Sequence, residues 1–244
     1  NYPFATIDPN VGVVPVPDSR IDTLAEISKS GKRIPAVVEF YDIAGLVKGA
    51  SKGEGLGNQF LTHIRETSAI CMVLRVFPSS DIIHIEGSVD ALRDLETVET
   101  ELALKDLETV EKRLGSLSRD VRSGNKEARL EEEALKEAHK ILNSGKPFFQ
   151  CLEAEPPNIG NVVRRFNLLT AKPQIFLLNG EEKDVNVELR AAIRDRGGSC
   201  VIADLFEREL EEKSVPELIQ RAYETLGLMS FFTTGEMETR AWTI

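Results

Sequence analysis

Apolar positions along this chain recur with two different periods. Residues 11–16, Val-Gly-Val-Val-Pro-Val, read as a short edge strand interrupted by Pro15. Ile34 to Tyr41 is a continuous apolar run with the character of a buried strand, and Ala69 to Phe77 is another, with Val73 and Val76 among its β-branched residues. Between the first two, Asp18 or Ser19 can cap a helix running to about Ser28; after the second, Leu56 to Glu66 has helical spacing. Towards the C-terminus the pattern predicts a short helix at about Val162 to Leu169, a strand from Gln174 to Leu178 and a helix from Val187 to Arg196. A strand from Cys200 to Ala203 and a helix from Val215 to Leu228 follow. Strands alternating with helices predict an α/β fold with parallel strand pairs.

The middle of the chain breaks this alternation. From Val89 to about Val121 it is charged and helical, with Leu107, Val110, Leu114, Leu117 and Val121 in the 3-4-3-4 spacing of a coiled-coil seam. Leu95, Val98 and Leu102 begin the same stripe, which joins imperfectly near Leu104. Ser123-Gly124-Asn125 is a turn signal, and Leu135, Ala138, Ile141 and Leu142 return the stripe on a helix ending near Gly145. The simplest structure is an antiparallel helical hairpin inserted within the α/β domain, its first helix roughly 40 Å long. Between 91 and 145 there are 13 acidic and 10 basic residues, so this arm carries both signs. A long two-helix arm has little core, which suits it to contacting a partner.

The net charge of −10 disfavours unaided binding to bare DNA. No apolar run approaches the roughly 20 residues of a membrane helix, so no membrane role is expected. The three cysteines, Cys71, Cys151 and Cys200, are far apart and odd in number, the pattern of reduced thiols in a cytosolic setting. His63, His84 and His139 form no metal-ligand spacing.

The chemistry concentrates after the strand that ends at Tyr41. Asp42 opens a segment with glycines at 45, 49, 53, 55 and 57. An acid at a strand end followed by a glycine-dense loop is where α/β proteins bind phosphates and Mg²⁺. A second Asp-x-x-Gly, Asp195-Arg196-Gly197-Gly198, has no strand ending at its Asp.

The whole stretch from Asp42 to Leu61 resembles the switch II region of the Obg-like P-loop NTPases, and within them the YchF or Obg-like ATPase family. Asn1-Tyr2-Pro3-Phe4-Ala5-Thr6-Ile7-Asp8-Pro9-Asn10-Val11-Gly12 is similar to that family's switch I. Asn179-Gly180-Glu181-Glu182 falls where its base-reading NxxE motif belongs. Phe231 to Gly235 and Arg240 to Ile244 resemble the opening of its TGS domain. The resemblance implies a P-loop NTPase-like, mostly parallel sheet, with a nucleotide-binding domain over 1–88 and 166–229, a helical coiled-coil insertion over 89–165 and the start of a TGS domain at 230–244.

The resemblance also implies roles. Asp42 would hold Mg²⁺ through water, the Gly45 N–H would bond the γ-phosphate, and Thr6 would coordinate Mg²⁺ and sense the same phosphate. Leu46 stands where Ras-type GTPases place the water-orienting glutamine, which implies slow hydrolysis or a catalytic group from elsewhere; His84 is the candidate for that group. The Asp of an NKxD motif accepts hydrogen bonds from guanine N1 and N2. Here Gly180 and Glu182 replace the Lys and the Asp, so ATP is expected to bind at least as readily as GTP. The position of a base-binding Ser-Ala reads Ala203-Asp204, which weakens that contact.

No GxxxxGK[ST] loop occurs in the chain, which opens inside the switch I-like segment. The expectation is therefore a fragment that by itself should not hydrolyse nucleotide efficiently. The function implied is an ATP-hydrolysing, Mg²⁺-dependent switch, cytoplasmic, monomeric and associated with ribosomes. The alternatives are a non-catalytic interaction module presenting the arm, and a GTPase.

Overall fold

Three parallel strands form the centre of the sheet system, and each helix that matters to the site packs on them. The computed structural model describes residues 10–43, 56–78, 89–145, 148, 157–204 and 214–244. In chain order the elements are β1 (Asn10–Pro15), α1 (Arg20–Ser28), β2 (Arg33–Ile34), β3 (Val37–Asp42), α2 (Leu56–Glu66), β4 (Ile70–Arg75), α3 (Ala91–Arg122) and α4 (Lys126–Asn143). They continue with α5 (Pro157–Phe166), β5 (Gln174–Asn179), α6 (Val187–Asp195), β6 (Ser199–Ala203), α7 (Ser214–Thr225), β7 (Ser230–Thr234) and β8 (Thr239–Thr243).

β4, β5 and β6 pair in parallel, in register from Ile70 with Gln174 to Arg75 with Asn179, and from Ile175 with Ser199 to Asn179 with Ala203. Residues 174–178 are all buried, as a central parallel strand covered on both faces requires. β1 and β3 pair antiparallel, Asn10 opposite Asp42. Pro35 lacks the N–H of a ladder donor, and the apolar run expected to be one strand is divided there into β2 and β3. The tail contributes β7 and β8, an antiparallel pair whose second strand runs parallel to β2. Neither was read as a strand from the sequence.

α3 is 32 residues long, about 48 Å at the rise of an α-helix. It passes through two cores. Leu95 and Leu102 are buried with Leu61 and Ile64 of α2, Met72 and Leu74 of β4, Phe176 and Leu178 of β5, and Leu189 and Ile193 of α6. Val110 and Leu117 are buried instead with Ala128, Leu135, Ala138 and Ile141 of α4, together with Phe148, Ile159 and Leu168. Between these cores the helix places Asp106, fully buried, on the face where the stripe calls for an apolar residue. The imperfect join in the leucine pattern is that carboxylate. The turn between the helices is built as expected: Asn125 Oδ1 accepts from the N–H groups of Glu127 and Ala128 at 2.9 and 3.2 Å.

One expectation moves. The helix expected at about Val162 to Leu169 instead begins at Pro157 and ends at Phe166. A proline is well tolerated in the first turn, where its missing N–H has no partner to lose.

Candidate nucleotide site

The C-terminal ends of β4, β5 and β6 meet at Asn179 and Gly180. The Asn179 carbonyl accepts from Val76 N–H at 3.0 Å, and Gly180 N–H donates to the Ala203 carbonyl at 3.0 Å. Gly180 has φ of +145°, and a Cβ there would lie 2.6 Å from Val76 Cγ2. Only glycine lets the chain turn this close to β4. The Ala203 end of β6, doubtful as a side-chain contact to a base, thus contributes its backbone to the corner.

The three acids that follow are each committed. Glu181 and Asp184 form a capping box around a 3₁₀ turn, with Glu181 N–H donating to Asp184 Oδ2 at 3.1 Å. Lys183 Nζ donates to Glu181 Oε1 at 2.7 Å. Glu182 accepts from Arg190 Nη2 at 2.5 Å, across the first turns of α6. Both members of that pair are largely exposed, so it orients more than it stabilises. Asn186 caps α6 by accepting from Leu189 N–H at 2.7 Å, fixing the helix that carries Arg190. Arg190 was not visible as a partner in the sequence, because nothing local distinguishes it from Arg194 of the same helix.

Asp42 ends β3, exposed. A single carboxylate suits Mg²⁺, which commonly keeps several waters and takes one or two carboxylates plus substrate phosphates. Among the described residues no group of three or more His, Cys, Asp or Glu side chains gathers to hold a metal by itself. Thr6, Gly45, Leu46 and His84 lie outside the described residues.

The second Asp-x-x-Gly is structural. Asp195 closes α6, Arg196 pairs with Glu99 on α3, and Gly198 packs on the Phe176 ring. Burial pushes the Cys71 thiol up to about 11 and raises Cys200 as well, which disfavours the thiolate at both; Cys151 lies outside the described residues. No helix among the described residues is long and apolar enough to cross a membrane.

Comparison with known proteins bears on the same segments. A family profile described as "50S ribosome-binding GTPase" matches residues 1–112. Together with the parallel sheet and the corner at Asn179, this defines the class as a P-loop NTPase-type α/β domain. The Bacillus subtilis (strain 168) protein named ribosome-binding ATPase YchF is 41% identical over 269 residues, covering 100% of this chain and 73% of that protein. Its Haemophilus influenzae counterpart of the same name is 40% identical over 268 residues, with 100% and 73% covered. A solved structure described as the Schizosaccharomyces pombe YchF GTPase superimposes with a TM-score of 0.79 at 37% identity, covering 100% of this chain and 72% of that one. The chain belongs to the YchF family.

Proposed function

We propose that the protein is a nucleotide-dependent switch that binds and hydrolyses ATP with Mg²⁺ and associates with ribosomes in the cytoplasm. The relatives named ribosome-binding ATPase support this reading, and so does the corner at the end of β5. The observation that carries the choice of base is the Glu182–Arg190 pair. A guanine-reading site keeps a carboxylate free to accept from N1 and N2. Here that carboxylate is drawn along α6 by a guanidinium, so adenine, which has no donor at N1, meets no unpaired charge.

Asn179 would bond the base, with Gly180 keeping the backbone low against β4. Asp42 would hold Mg²⁺ through water, and the ion would neutralise phosphate charge when bound. Thr6 and the Gly45 N–H would report the γ-phosphate, Leu46 would leave the attacking water unoriented, and His84 would supply the missing catalytic contact. The division into a nucleotide-binding domain (1–88 and 166–229), a helical insertion (89–165) and the start of a TGS domain (230–244) belongs to the same reading.

The test is competitive binding of ATP and GTP, with Mg²⁺, to the intact gene product. ATP binding equal to or tighter than GTP is expected. Clear preference for GTP would replace the ATPase reading by a GTPase, and binding of neither would leave an interaction module.

A further inference from the structure

α3 is gripped at three levels where it leaves the sheet. Glu99 accepts from Arg196 at the end of α6, Oε1 from Nε at 2.6 Å and Oε2 from Nη2 at 2.8 Å. Two turns on, Asp106 accepts three hydrogen bonds from the turn that leads into β5. These are Leu169 N–H at 2.9 Å, Thr170 N–H at 2.8 Å and the Thr170 hydroxyl at 2.8 Å. One turn further, Thr109 Oγ1 accepts from Arg65 Nη2 at 3.1 Å. Arg65 sits in the last turn of α2. Its carbonyl in turn accepts from Asn167 Nδ2 at 2.6 Å, and Lys172 Nζ bonds the Thr67 carbonyl and Asn167 Oδ1.

These grips differ in kind. Asp106 is saturated by donors and fully buried, so moving it would strand a carboxylate and two backbone N–H groups. The Glu99 pair is two-armed and fixes direction as well as distance. Arg65 makes one hydrogen bond to α3, from a long side chain to the neutral Thr109 hydroxyl, and its charge also acts on the Asp106 carboxyl one turn away. Among the described residues, the buried Arg65 Nε finds no hydrogen-bond partner. Such a group is under-satisfied as it stands and has a second donor available to a changed arrangement. Arg65 is also the one of the three partners on α2, the helix that follows the glycine-rich segment directly in the chain.

We propose that Arg65 is the positioning residue through which movement of α2 reaches the helical arm, with Asp106 as the pivot about which α3 swings. The proposal rests on the nucleotide-switch reading above. Continuity of α3 carries the rest: a small rotation near residue 106 displaces the tip at 123–125 by a larger amount, because nearly five helical turns separate them, at about 3.6 residues per turn.

The experiment uses the full-length protein with exposed positions Ser123, at the arm tip, and Gln220, on α7, spin-labelled. Distances between the labels are measured nucleotide-free and with saturating Mg-ATP, and hydrogen exchange of residues 56–66 is followed in parallel. Two variants are compared with the parent: Arg65→Ala, and Thr109→Val, which removes the acceptor while keeping the shape.

In the parent, nucleotide should change both the exchange of α2 and the distance to the tip. In Thr109→Val the exchange change should persist while the distance shift is lost; Arg65→Ala should behave alike, and Thr109→Val decides if Arg65→Ala folds poorly. An undiminished distance shift in Thr109→Val overturns the role of Arg65 and leaves the switch reading standing. No nucleotide binding, or no change in α2, overturns the switch reading and the proposal with it.

Discussion

A Cβ built on Gly198 would lie 2.1 Å from Cε2 of Phe176. The Phe176 ring is fully buried at the centre of β5, so it has nowhere to go. Gly198→Ala should therefore destabilise the fold by roughly 1–3 kcal/mol, as overpacking a filled core does. Urea unfolding of the two proteins, read as a change in midpoint at constant slope, checks it.

The ion pair between Glu99 and Arg196 is mostly shielded on both sides. Its two hydrogen bonds give it geometry that a surface pair lacks. A double-mutant cycle with Glu99→Gln and Arg196→Met should return a coupling of about 1–2 kcal/mol. A coupling near zero would mean the pair only decorates the α3–α6 contact.

The arm carries its own pH dependence. Glu131 accepts from Arg113 Nε at 2.6 Å, from Arg113 Nη2 at 3.0 Å and from Arg165 Nη1 at 3.1 Å. The Arg113 guanidinium holds its carboxyl below the ordinary value of 4.5. A carboxylate whose folded pKa is depressed stabilises the fold above its unfolded value, and the contribution fades as pH falls through the folded one. Thermal stability of the parent should thus decline relative to Glu131→Gln as pH is taken from about 5 downward. Parallel curves for the two proteins would contradict the assignment.

Base choice should respond to the length and partner of residue 182. Glu182→Asp withdraws the carboxylate from Arg190, and Arg190→Ala frees it. Either change should shift the ATP-to-GTP affinity ratio toward GTP by about tenfold, the equivalent of one good hydrogen bond to a charged group. Competition binding to the intact gene product measures the ratio, and an unchanged ratio in both variants would remove Glu182 from base recognition.

The arm tip has an excess of positive charge. Arg119, Arg122, Lys126 and Arg129 are exposed around the turn, against the acids Asp120 and Glu127. If ribosome association uses this end, replacing the four cations by Gln should weaken it and flatten its salt dependence by up to about 3 in log–log slope. Sedimentation with ribosomes at graded salt gives both numbers, and nucleotide affinity should not change.

Much of this architecture was legible because the apolar pattern is local. The α2 boundaries, the parallel strands and the hairpin of α3 and α4 follow from periodicity and turn residues that sit next to one another in the chain. β7 and β8 escaped, since Phe231 to Thr234 gains its meaning from Thr239 to Thr243 and from Arg33 and Ile34, residues that no window joins. Asp106 left a trace, the flaw in the leucine stripe, but only the fold supplies Leu169 and Thr170 as the donors that make it tolerable. At the site, Asn179, Gly180 and Glu182 were identified from a motif. The Arg190 grip on Glu182 and the Val76 contact that demands Gly180 depend on how α6 and β4 pack, and carry no signature in the chain.

Ser30 Oγ donates to the Gly235 carbonyl at 2.6 Å, a link between residues 205 positions apart. Together with the β2–β8 ladder it ties the beginning of the described chain to its end. The hairpin of α3 and α4 needs only residues close in sequence and can form early, while the sheet around β2 must wait for the last strand to exist. During synthesis the arm would therefore precede the closure of the domain that bears it, and that closure, with its large sequence separation, is the step expected to set the folding rate.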